Sequence, residues 1–312
     1  MKKRIKNIAA SIRQRLMNIA RKRNILFDEL LKLYAMERFL YRISKSPFRE
    51  QLILKGALML IVWDSPRSRT TKDIDVLGKI DDDPDIITDI MKVICDLEVE
   101  SDGLNFDKSS IQLRSIIEES DYQGVRVRMI GYLEKTKIHM QIDIGFGDKV
   151  IPEPKLIEYP TILDAPKPVL LGYSKESSIA EKFEAMVRLD KINSRMNDFY
   201  DIWLLSRTYD FDGKILSDAI LKTFDTRGTK IDQNITAFTK EFSEDPMKSK
   251  QWRSFLEKSK LQDVTKNFPS IVKDISDFIT PVVEAIYHNE DFKKKWSPSS
   301  KWSNILALLP PV

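Results

Sequence analysis

The 312-residue chain contains one cysteine, Cys95, and two histidines, His139 and His288. One cysteine cannot close a disulfide within the chain, and so few thiol and imidazole groups exclude a structural Cys/His zinc site. The lone thiol fits a reducing compartment, so a cytoplasmic location is expected. Long apolar runs are also missing. Around the first motif below, the longest stretch without charge or proline is Gly56 to Trp63, too short to cross a bilayer, and no membrane partner is expected. Acidic residues are absent from residues 1–27, which hold nine Lys and Arg.

What is present suits a folded chain with a mixed surface. Hydrophobic residues make up 42% and charged residues 31%, and 312 residues suggest two domains. The net charge of +4 is unevenly spread. Ile5, Ile8, Ile12, Leu16 and Ile19 recur at helical spacing among the N-terminal cations, which predicts a basic amphipathic helix over 5–24. Charges interrupt each apolar run and no small-residue cleavage site follows, so a secretory signal is not expected. Such a helix either packs on the body with a solvated basic face or offers that face to nucleic-acid phosphates.

Further along, a helix is predicted over 26–44, a strand over 51–54, a buried helix from Ala57 to Trp63 and a strand over 72–77. Asp81-Asp82-Asp83-Pro84 reads as a helix start rather than a metal cluster. Acids favour the N-terminal end of the helix dipole, and Pro favours the first turn. Strands follow at Ile111–Ile117, Val125–Met129 and Lys137–Ile144. In the last, Ile138, Met140, Ile142 and Ile144 face inward, leaving His139, Gln141 and Asp143 on the polar face. Prolines at 152, 154, 160, 166 and 168 mark a connecting segment. Ser174 then caps a helix to about Leu189, another starts near Asn197, and no strand alternation follows. The change from an α/β part to an all-helical part falls near 165–175, giving an α+β fold class.

The strongest chemical signal is Lys55-Gly56-Ala57 followed by Arg69-Thr70-Thr71-Lys72-Asp73-Ile74-Asp75-Val76. On a strand, Asp73 and Asp75 point the same way, while Ile74 and Val76 enter the core. Two nearby carboxylates repel unless a cation lies between them. Mg²⁺ takes oxygen ligands and keeps positions for water and substrate phosphate. The glycine turn and the adjacent cations suit those phosphates, which makes this a candidate metal and nucleoside-triphosphate site. Asp143, set between two isoleucines, is either a solvent-facing carboxylate or a third ligand or base.

A second constellation comprises Ile179-Ala180-Glu181-Lys182 and Arg195-Met196-Asn197-Asp198-Phe199-Tyr200-Asp201. Lys182 and Asp198 form either an interhelical salt bridge or a pair in which the lysine holds triphosphate oxygens. Arg188, Lys191 and Arg195, three and four apart, predict a basic helical face.

Taken in order with Ile142-Asp143-Ile144, these motifs resemble the AbiEii/AbiGii-type nucleotidyltransferase toxins, including the MenT-like toxins, of the DNA polymerase β-like superfamily. The match covers roughly residues 40–210. The resemblance implies a nucleotidyltransferase domain with a mixed sheet flanked by helices over 1–170. It implies a helical bundle over 171–312 that contributes Lys182 and Asp198 to the site. It also implies Mg²⁺ (or Mn²⁺) at Asp73 and Asp75, with Asp143 as third carboxylate, and transfer of a nucleotide from an NTP. Lys55, Gly56, Ala57, Arg69 and Thr71 would bind the nucleotide. Arg188, Lys191 and Arg195 would bind an RNA acceptor, the acceptor end of tRNA being one that family members use. A neighbouring antitoxin, protein or RNA, is the expected partner. Two positions depart from the family: Ala57 follows the glycine where Ser or Gly is usual, and Asn197 replaces a basic residue. The alternatives are a small-molecule, antibiotic-type nucleotidyltransferase and a non-catalytic RNA- or antitoxin-binding protein.

Overall fold

Two periodicities in the sequence, near 3.6 and 2, separate the helices from the strands. The computed structural model describes residues 7–65, 69, 71–117 and 123–304. The chain divides into two compact units. The first comprises Met1–Trp63, Thr71–Gly147 and Lys155–Gly172, the second Asp64–Thr70, Asp148–Pro154 and Tyr173–Val312.

In the first unit, the Asn7 side chain accepts from the Ala10 amide and starts α1 (Ile8–Arg23), whose buried line is Ile12, Leu16 and Ala20. Arg13, Arg15, Arg21, Lys22 and Arg23 are exposed on it, while Lys2, Lys3, Arg4 and Lys6 lie outside the described residues. The order continues α2 (Phe27–Lys45), β1 (Leu52–Lys55), α3 (Leu58–Val62), β2 (Ile74–Gly78) and α4 (Pro84–Asp96). Asp83 caps α4 through the Asp85 and Ile86 amides at 2.8 and 3.1 Å, which accounts for the acidic run as a helix start. Then come β3 (Leu104–Ile117), β4 (Gln123–Leu133), β5 (Thr136–Phe146), β6 (Lys155–Glu158) and β7 (Val169–Gly172).

These strands form one seven-stranded mixed sheet, ordered β3-β4-β5-β2-β1-β7-β6. β2 runs parallel to β5 and β1 parallel to β7, and the other neighbours are antiparallel. β3 begins earlier than the alternation of Ile111–Ile117 indicates. Its register with β4 shifts between Asp107 and Gln112, so a bulge hides the period-2 pattern of its first half. Ile74 and Val76 of β2, Val127 and Met129 of β4, and Ile142 and Ile144 of β5 share a core with Leu31 and Phe39 of α2 and Ile87 and Met91 of α4.

The second unit contains α5 (Lys175–Leu189), capped by Ser174, a 3-10 turn (Asp190–Ile192) and α6 (Met196–Thr208). After these come β8 (Phe211–Asp212), α7 (Gly213–Arg227), α8 (Lys240–Ser243), α9 (Pro246–Lys258), α10 (Phe268–Tyr287), β9 (Lys294–Ser297) and β10 (Lys301–Asn304). The unit is mainly helical, with one addition to the expected bundle: a small sheet ordered β10-β9-β8. Its strands of two to four residues are too short to show alternation. They are held by packing, with Trp302 stacked on Phe278 at 5.6 Å and Trp296 set edge-on to Phe278 at 4.8 Å. No helix among the described residues is long and apolar enough to cross a membrane.

α2 buries charge as well as carbon. Arg42 forms two hydrogen bonds to Asp102, at 2.6 and 3.2 Å. Glu37, fully buried, contacts Arg38 at 2.9 Å and accepts from the Ile162 amide at 2.6 Å. Burial pushes the Glu37 carboxyl up from 4.5 to about 7, opposed only in part by that amide and by Arg38. The folded chain therefore holds this proton more tightly than the unfolded chain, and stability falls as pH rises through the window from about 4.5 to about 7. The slope from this group is at most ~1.4 kcal/mol per pH unit. Glu37→Gln should become progressively more stable relative to wild type across that window. Urea unfolding midpoints at pH 5 and pH 8 measure the difference, and parallel curves would show that Glu37 does not titrate there.

Candidate active site

β2 and β5 set the carboxylates. Asp75 lies abreast of Asp143 in the parallel register, and Ile74 and Val76 alternate into the core beside Ile142 and Ile144. Asp73 immediately precedes β2 on the same side as Asp75. Thr71 Oγ1 donates to Asp73 Oδ1 at 2.7 Å and fixes that carboxylate. Thr70 lies outside the described residues.

The glycine turn is built against Asp75. Lys55 stands opposite Asp75 in the antiparallel register of β1 and β2. Gly56 follows with φ +69°, a conformation that favours glycine, and a Cβ placed there would lie 2.0 Å from Asp75 Oδ2. Buried Ala57 then leads into α3. No side chain other than hydrogen fits between this turn and the carboxylate.

The Asp143 carboxylate is engaged by neighbouring side chains. Arg126 of β4, opposite it in register, donates through Nε and a terminal nitrogen at 2.8 and 2.7 Å. The hydrogen bonds to Asp143 outweigh partial burial and raise the Arg126 pKa above its ordinary value. Gln141 Nε2 lies 3.3 Å from Asp143 Oδ2 and 3.5 Å from Asp73 Oδ2, linking two of the three carboxylates. Lys32 of α2 also senses Asp73: burial lowers its pKa and the Asp73 charge partly restores it. Among the described residues no group of three or more His, Cys, Asp or Glu side chains is arranged to hold a metal ion.

The second unit carries a cation-rich cluster. Lys182 Nζ lies 2.9 Å from Asp198 Oδ1 and 2.8 Å from Asp201 Oδ2. Arg69 grips Asp201 with two nitrogens at 2.9 and 3.0 Å, and Arg195 Nε lies 2.8 Å from Asp198 Oδ2. Asn197 donates to Asp198 Oδ1 at 3.2 Å, so the residue that departs from the family still serves the same carboxylate. Burial alone would push the Lys182 ammonium down, but Asp198 and Asp201 outweigh it and hold its pKa above the ordinary value. Burial would likewise raise Asp201, yet Arg69 and Lys182 hold it down. Three cations contact these two carboxylates.

The basic trio is not one helical face. α5 ends at Leu189, Asp190 takes φ +45°, and Lys191 sits in the 3-10 turn. Arg188 pairs with buried Glu184 at 3.2 Å, and Arg195, at the start of α6, is held by Asp198. Lys191 is 70% exposed and only 3.7 Å from an exposed Glu241. Sequence reasoning set Gln141 beside Asp143 and Asp201 on the face of Asp198 without giving either a role, and it missed Arg126 and Lys32 as neighbours of the carboxylates. Arg126 had no local signal, because strand register brings it to Asp143.

A Gly turn against an Asp-x-Asp strand, with a third carboxylate abreast on a mixed sheet, is the arrangement expected of a nucleotidyltransferase. The family described as nucleotidyl transferase AbiEii toxin, type IV TA system, matches residues 38–278, and the chain belongs to this family. Among solved structures, a candidate nucleotidyltransferase from H. pylori is 14% identical, with a TM-score of 0.46, covering 83% of this chain and 95% of that one. JHP933 from Helicobacter pylori is 15% identical, with a TM-score of 0.49, covering 84% and 95%. No curated protein matches the chain.

Three substitutions test the geometry. Gly56→Ala should lose transferase activity, because it strains the turn and displaces the Asp75 carboxylate. Restored activity in the variant would show that the close approach is dispensable. Asp201→Asn leaves Lys182 and Arg69 short of a buried partner and should cost about 3–5 kcal/mol in unfolding free energy. Lys191→Ala should stay within about 0.5 kcal/mol of wild type in the same denaturant series.

Proposed function

We propose that the protein transfers a nucleoside monophosphate from an NTP to an RNA hydroxyl, with release of pyrophosphate, in a reaction dependent on Mg²⁺ (or Mn²⁺). The observation that carries this reading is the row Asp75–Asp143 beside Asp73, closed on one side by Gly56. The donor set is all oxygen, which suits a hard divalent ion. Asp73 and Asp75 would hold it, with Asp143 as third ligand or as base. When bound, such an ion neutralises charge on the attacking and leaving oxygens of an in-line displacement.

The remaining roles fall to the chain's own cations. Lys55, opposite Asp75, is positioned to draw triphosphate oxygens toward the carboxylate row. Backbone N–H groups of the Gly56-Ala57 turn serve where a serine hydroxyl is usual. Lys182 and Arg69 are held by Asp198 and Asp201, which raises the lysine's pKa and restricts both side chains, a preorganised arrangement for phosphate. Arg188, Lys191 and Arg195 add positive charge for an acceptor, and Lys191 is the most exposed of them. The tRNA 3′ end is the first acceptor to test. Membership of a type IV toxin–antitoxin family implies an antitoxin partner.

Incubating the purified protein with Mg²⁺, each labelled NTP, total tRNA and, separately, hydroxylated small molecules tests this reading. Label should enter RNA. Label entering only the small molecule would establish the antibiotic-type alternative, and no transfer at all would favour a non-catalytic binding role. Asp73→Asn and Asp75→Asn should each lower transfer roughly 10³-fold or more while leaving the unfolding midpoint near wild type. Near-normal turnover in either would remove the metal assignment.

A further inference from the structure

The outer face of β3, β4 and β5 carries cations in rows fixed by register. Arg114 stands opposite Arg126, and Arg126 opposite Asp143, which lies beside Asp75. One step along, Arg128 stands between Gln112 and Gln141. Beyond it, Ile130 faces His139 and Tyr132 faces Lys137. Directly opposed residues share a face, as do residues two apart on a strand. The opposite face is buried core.

This outer face is open and charged. Arg114, Arg128, Lys137 and His139 are exposed, and Tyr132 is half-buried. Arg126 is tied to Asp143, but among the described residues no carboxylate pairs with Arg114 or Arg128. Two arginines directly opposed on a sheet repel each other, and only one of this pair is compensated. The acid on the same face, Asp107, turns its carboxylate to the Ser109 amide at 2.9 Å instead.

We infer that this face is the bed of the acceptor strand and that its occupant is single-stranded RNA. Phosphates would lie on Arg114 and Arg128, relieving the repulsion between Arg114 and Arg126, and an unstacked base would rest on Tyr132. From Asp143 to Lys137 the face runs about 20 Å at ~3.3 Å per residue, room for several nucleotides. The inference rests on the proposed RNA acceptor only for its direction, since the row of arginines ends at the candidate carboxylates. The surface itself stands on register, exposure and charge.

The test is binding of a short fluorescein-labelled single-stranded RNA to the full chain without NTP, read by anisotropy across salt concentrations. Arg114→Ala with Arg128→Ala should weaken binding ~10-fold or more and reduce the salt slope by about 1.4, at roughly 0.7 per phosphate contact. Tyr132→Ala should weaken binding roughly fivefold or more without changing the slope. Unfolding midpoints should match wild type in each. Unchanged affinity and slope in the double variant, a preference of wild type for duplex RNA, or no RNA binding by wild type would each overturn the inference. The transfer assay keeps the two readings apart. RNA binding lost in the double variant while label enters only small molecules would sink the RNA-acceptor reading and leave the surface standing. Wild-type labelling of RNA by the double variant would do the reverse.

Discussion

The parallel pairing of β2 with β5 is the constraint on which the first unit depends. It sets Asp75 and Asp143 side by side, an arrangement that is unfavourable for two like charges in neighbouring strands. The sheet answers by extending the row. Lys55 stands on the far side of Asp75, Arg126 on the far side of Asp143, and Gln141 reaches Asp73 and Asp143. Charge therefore alternates in blocks across the strands, and the turn at Gly56 closes tightly on Asp75 because it has no side chain. A carboxylate pair of this kind can be kept together before any cation arrives.

The second unit solves an opposite problem. Lys182 is mostly withdrawn from solvent, its side chain 15% exposed, and burial disfavours an ammonium. Asp198 and Asp201 keep it charged, while Arg69 spans both oxygens of Asp201 and Arg195 meets Asp198. A buried network of this kind is poor evidence for stability, since apolar replacements often serve as well. Its effect is to fix a lysine in position and in protonation state, which is what a phosphate-binding cation requires. Glu37 in the first unit shows the contrast: a buried carboxylate with one adjacent guanidinium and one amide is pushed toward neutrality.

The sequence by itself determined most elements and nominated the residues proposed to carry the chemistry. Asp75 and Asp143 are legible because each sits between residues that alternate into a core, Asp73 because it lies two residues before Asp75, and Gly56 because only a turn explains glycine between an apolar strand and an apolar helix. Five motifs in fixed order named the family, and the comparison with that family bears the name out. Local patterns suffice for such features because they are set within a few residues.

Tertiary structure alone decided the pairings. Strand order put Arg126 across from Asp143 and gathered Arg114 and Arg128 onto the same face, relations between residues 12 to 29 positions apart along the chain that no local period encodes. A left-handed residue at Asp190 split the expected basic face of Arg188, Lys191 and Arg195, because backbone conformation at one position redirects every side chain after it. The strand Phe211–Asp212 exists only because residues 294–297 pair with it, and β3 begins at Leu104 because β4 tolerates a bulge opposite it. Periodicity reports which face of an element is buried. Register, which depends on contacts between distant segments, decides which buried or polar groups meet.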